Sequence, residues 1–123
     1  MQNAKIAVVG DDKIVRDYVI NMLMYCVNRE ILSFEDGFAA WNYLENPDSP
    51  DVIFFSDVNM PGMNGLELLT KIKEKHPHKI CIMISGDPTN EKLAMELGAD
   101  AFLAKPFTTN DLFSIVETLI IND

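Results

Sequence analysis

Four short apolar runs, separated by amphipathic segments, limit the fold of this chain more than any other feature. The runs are IAVV (6–9), VIFF (52–55), ICIMI (80–84) and AFLA (101–104). Each run is continuous rather than alternating, which is typical of strands buried on both faces of a parallel sheet. A weaker run, ILSF (31–34), is expected at an edge of that sheet.

Segments with helical periodicity lie between these runs. The apolar stripes consist of Val15, Val19, Met22, Leu23 and Cys26, then Gly65, Leu68, Leu69 and Ile72, and finally Leu112, Ile115, Val116 and Leu119. Shorter helices are predicted over 38–44 and 90–97, and NPDSPD (46–51) is predicted to be a loop. The order of strand then helix, five times over, predicts a parallel sheet with helices on both faces.

Length and charge exclude several classes of protein. The 123 residues suffice for one domain with a core. A net charge of −9 argues against direct nucleic-acid binding, because phosphates attract a basic face. The first residues reach acids before any long apolar stretch, and YVINMLMYCV is about half a membrane span. We therefore expect a cytoplasmic protein without a membrane partner, in which Cys26 and Cys81 are buried free thiols.

Chemically active residues follow four of the strands. They are Gly10, Asp11 and Asp12, then Ser56 and Asp57, then Ser85, Gly86 and Asp87, and finally Lys105 and Pro106. Ligands of open parallel sheets bind beyond the carboxyl ends of the strands. The sequence therefore predicts one site that combines acids, a hydroxyl group and a lysine.

These residue types indicate phosphoryl chemistry at a cation site. Clustered carboxylates raise each other's pKa unless a cation neutralises them, and Mg²⁺ suits a set of oxygen ligands. A carboxylate can also act as a nucleophile and form an aspartyl phosphate. A lysine together with a metal ion would neutralise the charge of the transferring group. Gly86 lets backbone N–H groups approach an anion closely.

The motifs at these strand ends resemble those of the receiver domains of two-component response regulators. They are GDD (10–12), DVNMPGMNG (57–65), ISG (84–86) and GADAFLAKPF (98–107), and the resemblance extends over nearly the whole chain. It implies an α/β fold, a flavodoxin-like three-layer sandwich. Its five-stranded parallel sheet would have the order 2-1-3-4-5, with five helices on both faces. Residues 1–123 are expected to form a single receiver domain.

The resemblance also implies a role for each matching residue. Asp57 is expected to be the phosphoacceptor, supplied by the phosphohistidine of a histidine kinase or a phosphotransfer protein. Asp11, Asp57 and the backbone carbonyl of Asn59 are expected to bind Mg²⁺. Lys105 would pair with the phosphoryl oxygens, and Ser85 would be the switch hydroxyl that moves to the phosphoryl group.

Two positions depart from the family pattern. Phe102 stands at the aromatic switch position, where Tyr is commoner, and has no hydroxyl to bond a partner; it is equally interpretable as a core residue. Gly10 stands where the family usually has the first of two acids, which acts through a water molecule. Its loss is expected to weaken Mg²⁺ binding without abolishing it. The peptide bond between Lys105 and Pro106 is expected to be cis.

Two acidic residues near the site keep more than one interpretation. Asp12 is either a helix N-cap or a Mg²⁺ ligand through water, and the two roles are compatible. Asp87 is either a turn residue before Pro88 or a second water-mediated ligand. Asn59 and Asp87 would also flank the path of the water that hydrolyses the aspartyl phosphate, which predicts that this species is not unusually long-lived.

The predicted function is therefore a phosphorylation switch, not an enzyme acting on other substrates: the chain would catalyse only its own phosphorylation and dephosphorylation. Phosphorylation would change the face formed by the fourth helix, fifth strand and fifth helix, which binds an output domain or protein. Phe113, Ile120 and Ile121 are expected to add apolar area there, which also suits a homodimer. The alternative is a pseudo-receiver, an interaction module that is never phosphorylated. The departures from the family pattern at Gly10 and Phe102 are its support.

Overall fold

A parallel sheet forms the centre of the molecule. The computed structural model describes residues 4–46 and 51–121, so most of the predicted loop 46–51 lies outside the described residues. Within these ranges the strands are β1 (Lys5–Val9), β2 (Ile31–Phe34), β3 (Val52–Asp57), β4 (Cys81–Ser85) and β5 (Ala101–Ala104). All pairs are parallel, in the order β2-β1-β3-β4-β5. The prediction that the five apolar runs form strands, and the predicted order of those strands, are both confirmed.

A helix follows each strand. The helices are α1 (Lys13–Cys26), α2 (Gly37–Glu45), α3 (Gly65–Lys75), α4 (Asn90–Glu96) and α5 (Thr109–Val116), and a π-helical segment, Glu117–Ile121, continues α5. Side chains from α1 and α5 share one core with the sheet, and those from α2, α3 and α4 share the other. The predicted three-layer sandwich with helices on both faces is therefore confirmed.

The central strands are buried on both faces. Every residue of β3 and β4 is buried, as the continuous apolar runs predicted. Because successive strand residues point to opposite faces, Phe54 and Phe55 enter different cores. Polar side chains are thereby displaced to the strand ends, where the candidate site lies.

Helix ends are defined by local hydrogen bonds. Thr108 and Asp111 form a reciprocal capping box at the start of α5, and Asn64 and Glu67 form another at α3. Gly98 follows α4 with φ of +105°, a conformation that favours glycine. Such caps each contribute about 1 kcal/mol of stability.

The end of the last helix differs from the prediction. Ile120 is only 1% exposed and belongs to the core, so the expectation that it adds apolar surface was wrong. Ile120 lies four residues after Val116, a spacing that places both side chains on one face of a helix, and that face is buried. Ile121 is 56% exposed and Phe113 is half-buried, which leaves part of the predicted apolar area.

The two cysteines differ in burial. Cys81 is buried, as predicted, and burial raises the pKa of its thiol to about 12. Cys26 is only partly buried, because it ends α1 at the margin of the core. No helix in the described ranges has the length and apolar character needed to cross a membrane.

Candidate functional site

Strand register brings the predicted residues to one edge of the sheet. The backbone hydrogen-bond ladders pair Val9 with Ser56, Asp57 with Ile84, and Ser85 with Ala104. The residues at or just after the strand ends therefore lie side by side, as the parallel topology predicted. A further backbone hydrogen bond, from N–H of Lys105 to the carbonyl of Ser85 at 2.8 Å, extends this pairing beyond β5.

Asp57 and Lys105 form an ion pair at the centre of this edge. Asp57 is buried, with 6% of its surface exposed, and its Oδ1 lies 3.0 Å from Nζ of Lys105. The side chain of Lys105 is 33% exposed, so the pair combines a buried acid with a lysine that reaches solvent. The peptide bond between Lys105 and Pro106 is cis, as predicted.

The environment of Asp57 disfavours its charged form. Burial is the main cause that raises the pKa of this carboxyl, and the negative charges of Asp11 and Asp12 raise it further. The hydrogen bond and positive charge of Lys105 lower the pKa, but the net direction is upward. A cation bound near Asp57 and Asp11 would offset this electrostatic penalty.

The donor set of the site fits Mg²⁺. Within the described part of the chain, no three His, Cys, Asp or Glu side chains converge closely enough to hold a metal ion. Mg²⁺ does not require such a cluster, because it commonly uses one or two carboxylates and keeps several waters. Asp57, the exposed Asp11 and the backbone carbonyl of the exposed Asn59 are the donors that this edge offers.

Gly10 has a steric role that the sequence did not reveal. A Cβ atom at residue 10 would lie 2.6 Å from Oδ2 of Asp57, so the carboxylate occupies the space that a side chain would need. The Gly10 carbonyl accepts a hydrogen bond from Nη1 of Arg16 at 2.6 Å. The absence of a side chain at Gly10 therefore leaves room for the Asp57 carboxylate just beyond the end of β1.

Asp12 acts as an N-cap. Its Oδ1 accepts hydrogen bonds from the backbone N–H groups of Ile14, at 2.9 Å, and Val15, at 3.5 Å. The cap interpretation is thus confirmed. The charge of Asp12 still acts on Asp57 through space, and a water-mediated contact to a metal ion stays a prediction.

The loop between β4 and α4 is ordered by hydrogen bonds around Ser85. The buried Ser85 Oγ accepts one hydrogen bond from the backbone N–H of Asp87 and another from Nδ2 of Asn90, each at 3.0 Å. Asp87 Oδ1 accepts hydrogen bonds from the N–H and the hydroxyl of Thr89. These bonds lower the pKa of Asp87 and confirm its interpretation as a turn residue.

The remaining predicted residues take distinct positions. Gly86 is exposed, and a Cβ atom there would meet no other atom within 4 Å. Phe102 is half-buried and packs against the core beneath α2, α3 and α4, so it is at least a core residue. Gly65 begins α3, and a Cβ atom there would overlap the carbonyl oxygen of Asp57.

Two residues that hold the site in place, Arg16 and Asn90, were not predicted from the sequence. Arg16 is buried and donates both to the Gly10 carbonyl and to Oγ of Ser33, at 3.2 Å. Its signal was a charged residue three positions before Val19 on the apolar stripe of α1. Asn90 had no such signal, because its contact with Ser85 depends on the loop conformation.

Comparison with known proteins supports the interpretation of this edge as a receiver-domain site. The family model of the response regulator receiver domain matches residues 6–117. The chain is 34% identical over 122 residues to the DNA-binding transcriptional regulator NtrC of Escherichia coli, covering 98% of this chain but 25% of NtrC. A chemotaxis protein CheY homolog of Campylobacter jejuni is 29% identical, with 94% of this chain and 92% of that protein covered. The chain thus spans about a quarter of NtrC and nearly all of the CheY homolog.

Solved structures show the same fold. The receiver domain of NtrX from Brucella abortus superposes with a TM-score of 0.85 at 30% identity, covering 97% of this chain and 100% of that chain. A response regulator receiver domain protein from Clostridium thermocellum gives a TM-score of 0.82 at 30% identity, covering 97% and 95%.

Proposed function

Because this chain belongs to the receiver domains of response regulators, which act in two-component signalling, we propose that Asp57 accepts a phosphoryl group from a phosphohistidine. The donor would be a histidine kinase or a phosphotransfer protein. The observation that carries this proposal is the pairing of the buried Asp57 carboxylate with Lys105 at 3.0 Å. A buried acid with a raised pKa beside a lysine is typical of a functional site rather than of a surface ion pair.

The proposed step exchanges one bond to phosphorus for another. A carboxylate oxygen of Asp57 attacks the phosphorus atom, and the P–N bond to the imidazole breaks. The electron pair of that bond stays on the imidazole nitrogen of the donor. Lys105, now paired with Asp57, would transfer its Nζ contact to a phosphoryl oxygen and offset the charge that arrives.

Mg²⁺, held by Asp11, Asp57 and the Asn59 carbonyl, would supply Lewis-acid neutralisation of the phosphoryl oxygens. The chain's own residues position the group. Gly86 leaves open space beside the buried Ser85 hydroxyl, so an anion can approach the backbone at this point. The chain would catalyse only its own phosphorylation and dephosphorylation.

The output would be a change on the face formed by α4, β5 and α5. Leu93 and Met95 of α4 are 45% and 44% exposed, and Ile121 is 56% exposed, so the face retains apolar area for a partner or for a second copy of the chain. The DNA-binding regulator NtrC is a longer protein than this chain. We infer that an output domain or protein binds this face.

Incubation with acetyl phosphate and Mg²⁺, followed by mass spectrometry of the intact protein, tests the proposal. The expected result is the added mass of one phosphoryl group on the wild type. An Asp57→Ala variant should show no added mass. A control receiver domain labelled under the same conditions shows that the reagents work. Failure to label this chain while the control is labelled would overturn the proposal and favour the pseudo-receiver alternative.

We further propose that the aspartyl phosphate is not unusually long-lived. Asn59 and Asp87 are both exposed at the open edge of the site, so water reaches the phosphorus atom. The decay of the phosphorylated mass at neutral pH with Mg²⁺ measures this lifetime. Persistence for many hours would contradict it.

A further inference from the structure

Ser85 is tied to α4 through Asn90. The Ser85 side chain ends β4 and is 2% exposed. Asn90 is the first residue of α4, and its Nδ2 donates to Ser85 Oγ at 3.0 Å. Together with the N–H of Asp87, this amide fills both acceptor positions of the hydroxyl oxygen. The switch hydroxyl is therefore held by its own loop and helix.

We propose that Asn90 is a positioning residue that latches Ser85, and with it the start of α4, in the unphosphorylated arrangement. This inference rests on the proposed phosphorylation of Asp57, because it assigns a regulatory contact to the same site. When Ser85 turns to donate to a phosphoryl oxygen, the hydrogen bond from Asn90 breaks. The start of α4 then loses its side-chain tie to β4.

The weak anchoring of α4 makes this tie consequential. The helix has seven residues, and Ala94 is its buried residue. Thr89 precedes the helix but its side chain makes no cap hydrogen bond, and its hydroxyl donates to Asp87. A helix held by so few contacts responds to the loss of a single hydrogen bond. Asn90 thereby couples the state of Ser85 to the face that carries Leu93 and Met95.

Binding of beryllofluoride in the presence of Mg²⁺ tests the latch in a double-mutant cycle. The proteins are the wild type, Asn90→Ala, Ser85→Ala and the double variant, with Asn110→Ala as a matched control in the first turn of α5. Removal of the latch should tighten beryllofluoride binding about threefold to tenfold, the size expected of one neutral hydrogen bond. Asn110→Ala should leave binding unchanged.

The cycle distinguishes the latch from a general effect on α4. If Asn90 acts through the Ser85 hydroxyl, Asn90→Ala should have no effect on binding in the Ser85→Ala background. An effect that persists in that background, or an Asn90→Ala variant that binds more weakly or equally, would overturn the latch.

A measurement on the ligand-free protein separates this inference from the proposed function. The Asp87 amide donates to the same oxygen, so its hydrogen exchange and the Ser85 χ1 couplings report on the latch by NMR. Asn90→Ala should speed exchange of the Asp87 amide and spread the Ser85 rotamers, and Asn110→Ala should not. If wild-type protein does not bind beryllofluoride, the proposed function fails, and these spectra alone decide the latch. Unchanged spectra in Asn90→Ala would refute it.

Discussion

At the scale of single residues, Gly10 determines where the Asp57 carboxylate lies. Any side chain at residue 10 must displace Oδ2 of Asp57, because its Cβ would lie 2.6 Å away. We expect Gly10→Ala to lower the free energy of unfolding by about 1 kcal/mol, the low end of the penalties of overpacking, because the atom that must move is the end of the Asp57 side chain. Gly10→Asp should carry the same steric penalty and add back the family's missing acid. Urea denaturation with EDTA measures the first effect.

The comparison between the two variants isolates the contribution of the carboxylate to metal binding. Calorimetric titration should show that Gly10→Asp binds Mg²⁺ more tightly than Gly10→Ala. Comparison with wild type alone would mix the charge with the displacement of Asp57. Equal affinities in the two variants would mean that a water-mediated acid at residue 10 has no role in this protein.

Asp57 gives a pH dependence whose sign follows from its raised pKa. A carboxyl whose pKa rises on folding binds more protons in the folded state. Its contribution to stability is therefore full below the ordinary value of 3.8, and is lost as pH rises through the folded pKa. We expect Asp57→Asn to be more stable than wild type at pH 7 in EDTA. The difference should shrink toward pH 3, which thermal denaturation across this range checks. A variant less stable than wild type at pH 7 would show that the pair with Lys105 outweighs burial.

At the scale of secondary-structure elements, the junction of β3 and α3 depends on Gly65. Its N–H donates to the carbonyl of Val58 at 2.8 Å, and a Cβ there would overlap the carbonyl of Asp57. Gly65→Ala should lower the free energy of unfolding by about 3 kcal/mol or more, since rigid backbone must move. Gly86→Ala is the matched control, because its Cβ meets no atom within 4 Å. Equal stabilities of the two variants in urea would contradict the close packing at Gly65.

The π-helical end of α5 contains two neighbouring isoleucines that differ in burial, so their alanine variants can be compared directly. Ile120 is 1% exposed and its neighbour Ile121 is 56% exposed. We expect Ile120→Ala to reduce the free energy of unfolding by about 2–5 kcal/mol, and Ile121→Ala by about 0.5 kcal/mol or less. Chemical denaturation of the two variants checks this assignment, and equal losses of stability would contradict the difference in burial between the two residues.

This element also marks a limit of sequence-based prediction. The stripe of Leu112, Ile115, Val116 and Leu119 fits a continuous α-helix, and apolar spacing alone does not reveal an inserted π turn. The caps of α1 and α5 were predictable, because they depend on residues a few positions apart. The hydrogen bond from Asn90 to Ser85 was not, since it depends on the path of the intervening loop.

At the scale of the whole molecule, parallel topology made the location of the site predictable. Continuous apolar runs identify buried strands, and the carboxyl ends of such strands meet at one edge. Asp57 and Lys105 could therefore be placed together from sequence, although they lie 48 positions apart in the chain. The steric role of Gly10 could not be predicted, because it depends on the side-chain conformation of Asp57.

Metal binding should couple the site to the stability of the entire fold. An ion that binds the folded chain and not the unfolded chain adds about 2.7 kcal/mol to the free energy of unfolding when its concentration is 100 times its Kd. In denaturant titrations at pH 7, we expect Mg²⁺ at 100 times its Kd to raise the free energy of unfolding of the wild type by this amount. Asp11→Asn should remove most of the gain, whereas Glu74→Gln, an exposed acid on α3, should keep it.

The pH at which this gain disappears tests the assignment of the ligands. Protonation of Asp57 removes a donor, and its pKa is raised by burial and by the charges of Asp11 and Asp12. The stabilisation by Mg²⁺ should therefore fall as the solution is acidified, and should begin to fall at a higher pH than for an ordinary aspartate. In Asp57→Asn the gain should be small at every pH. A gain that is retained in both Asp11→Asn and Asp57→Asn would place the ion elsewhere on this acidic chain and remove the metal from the proposed site.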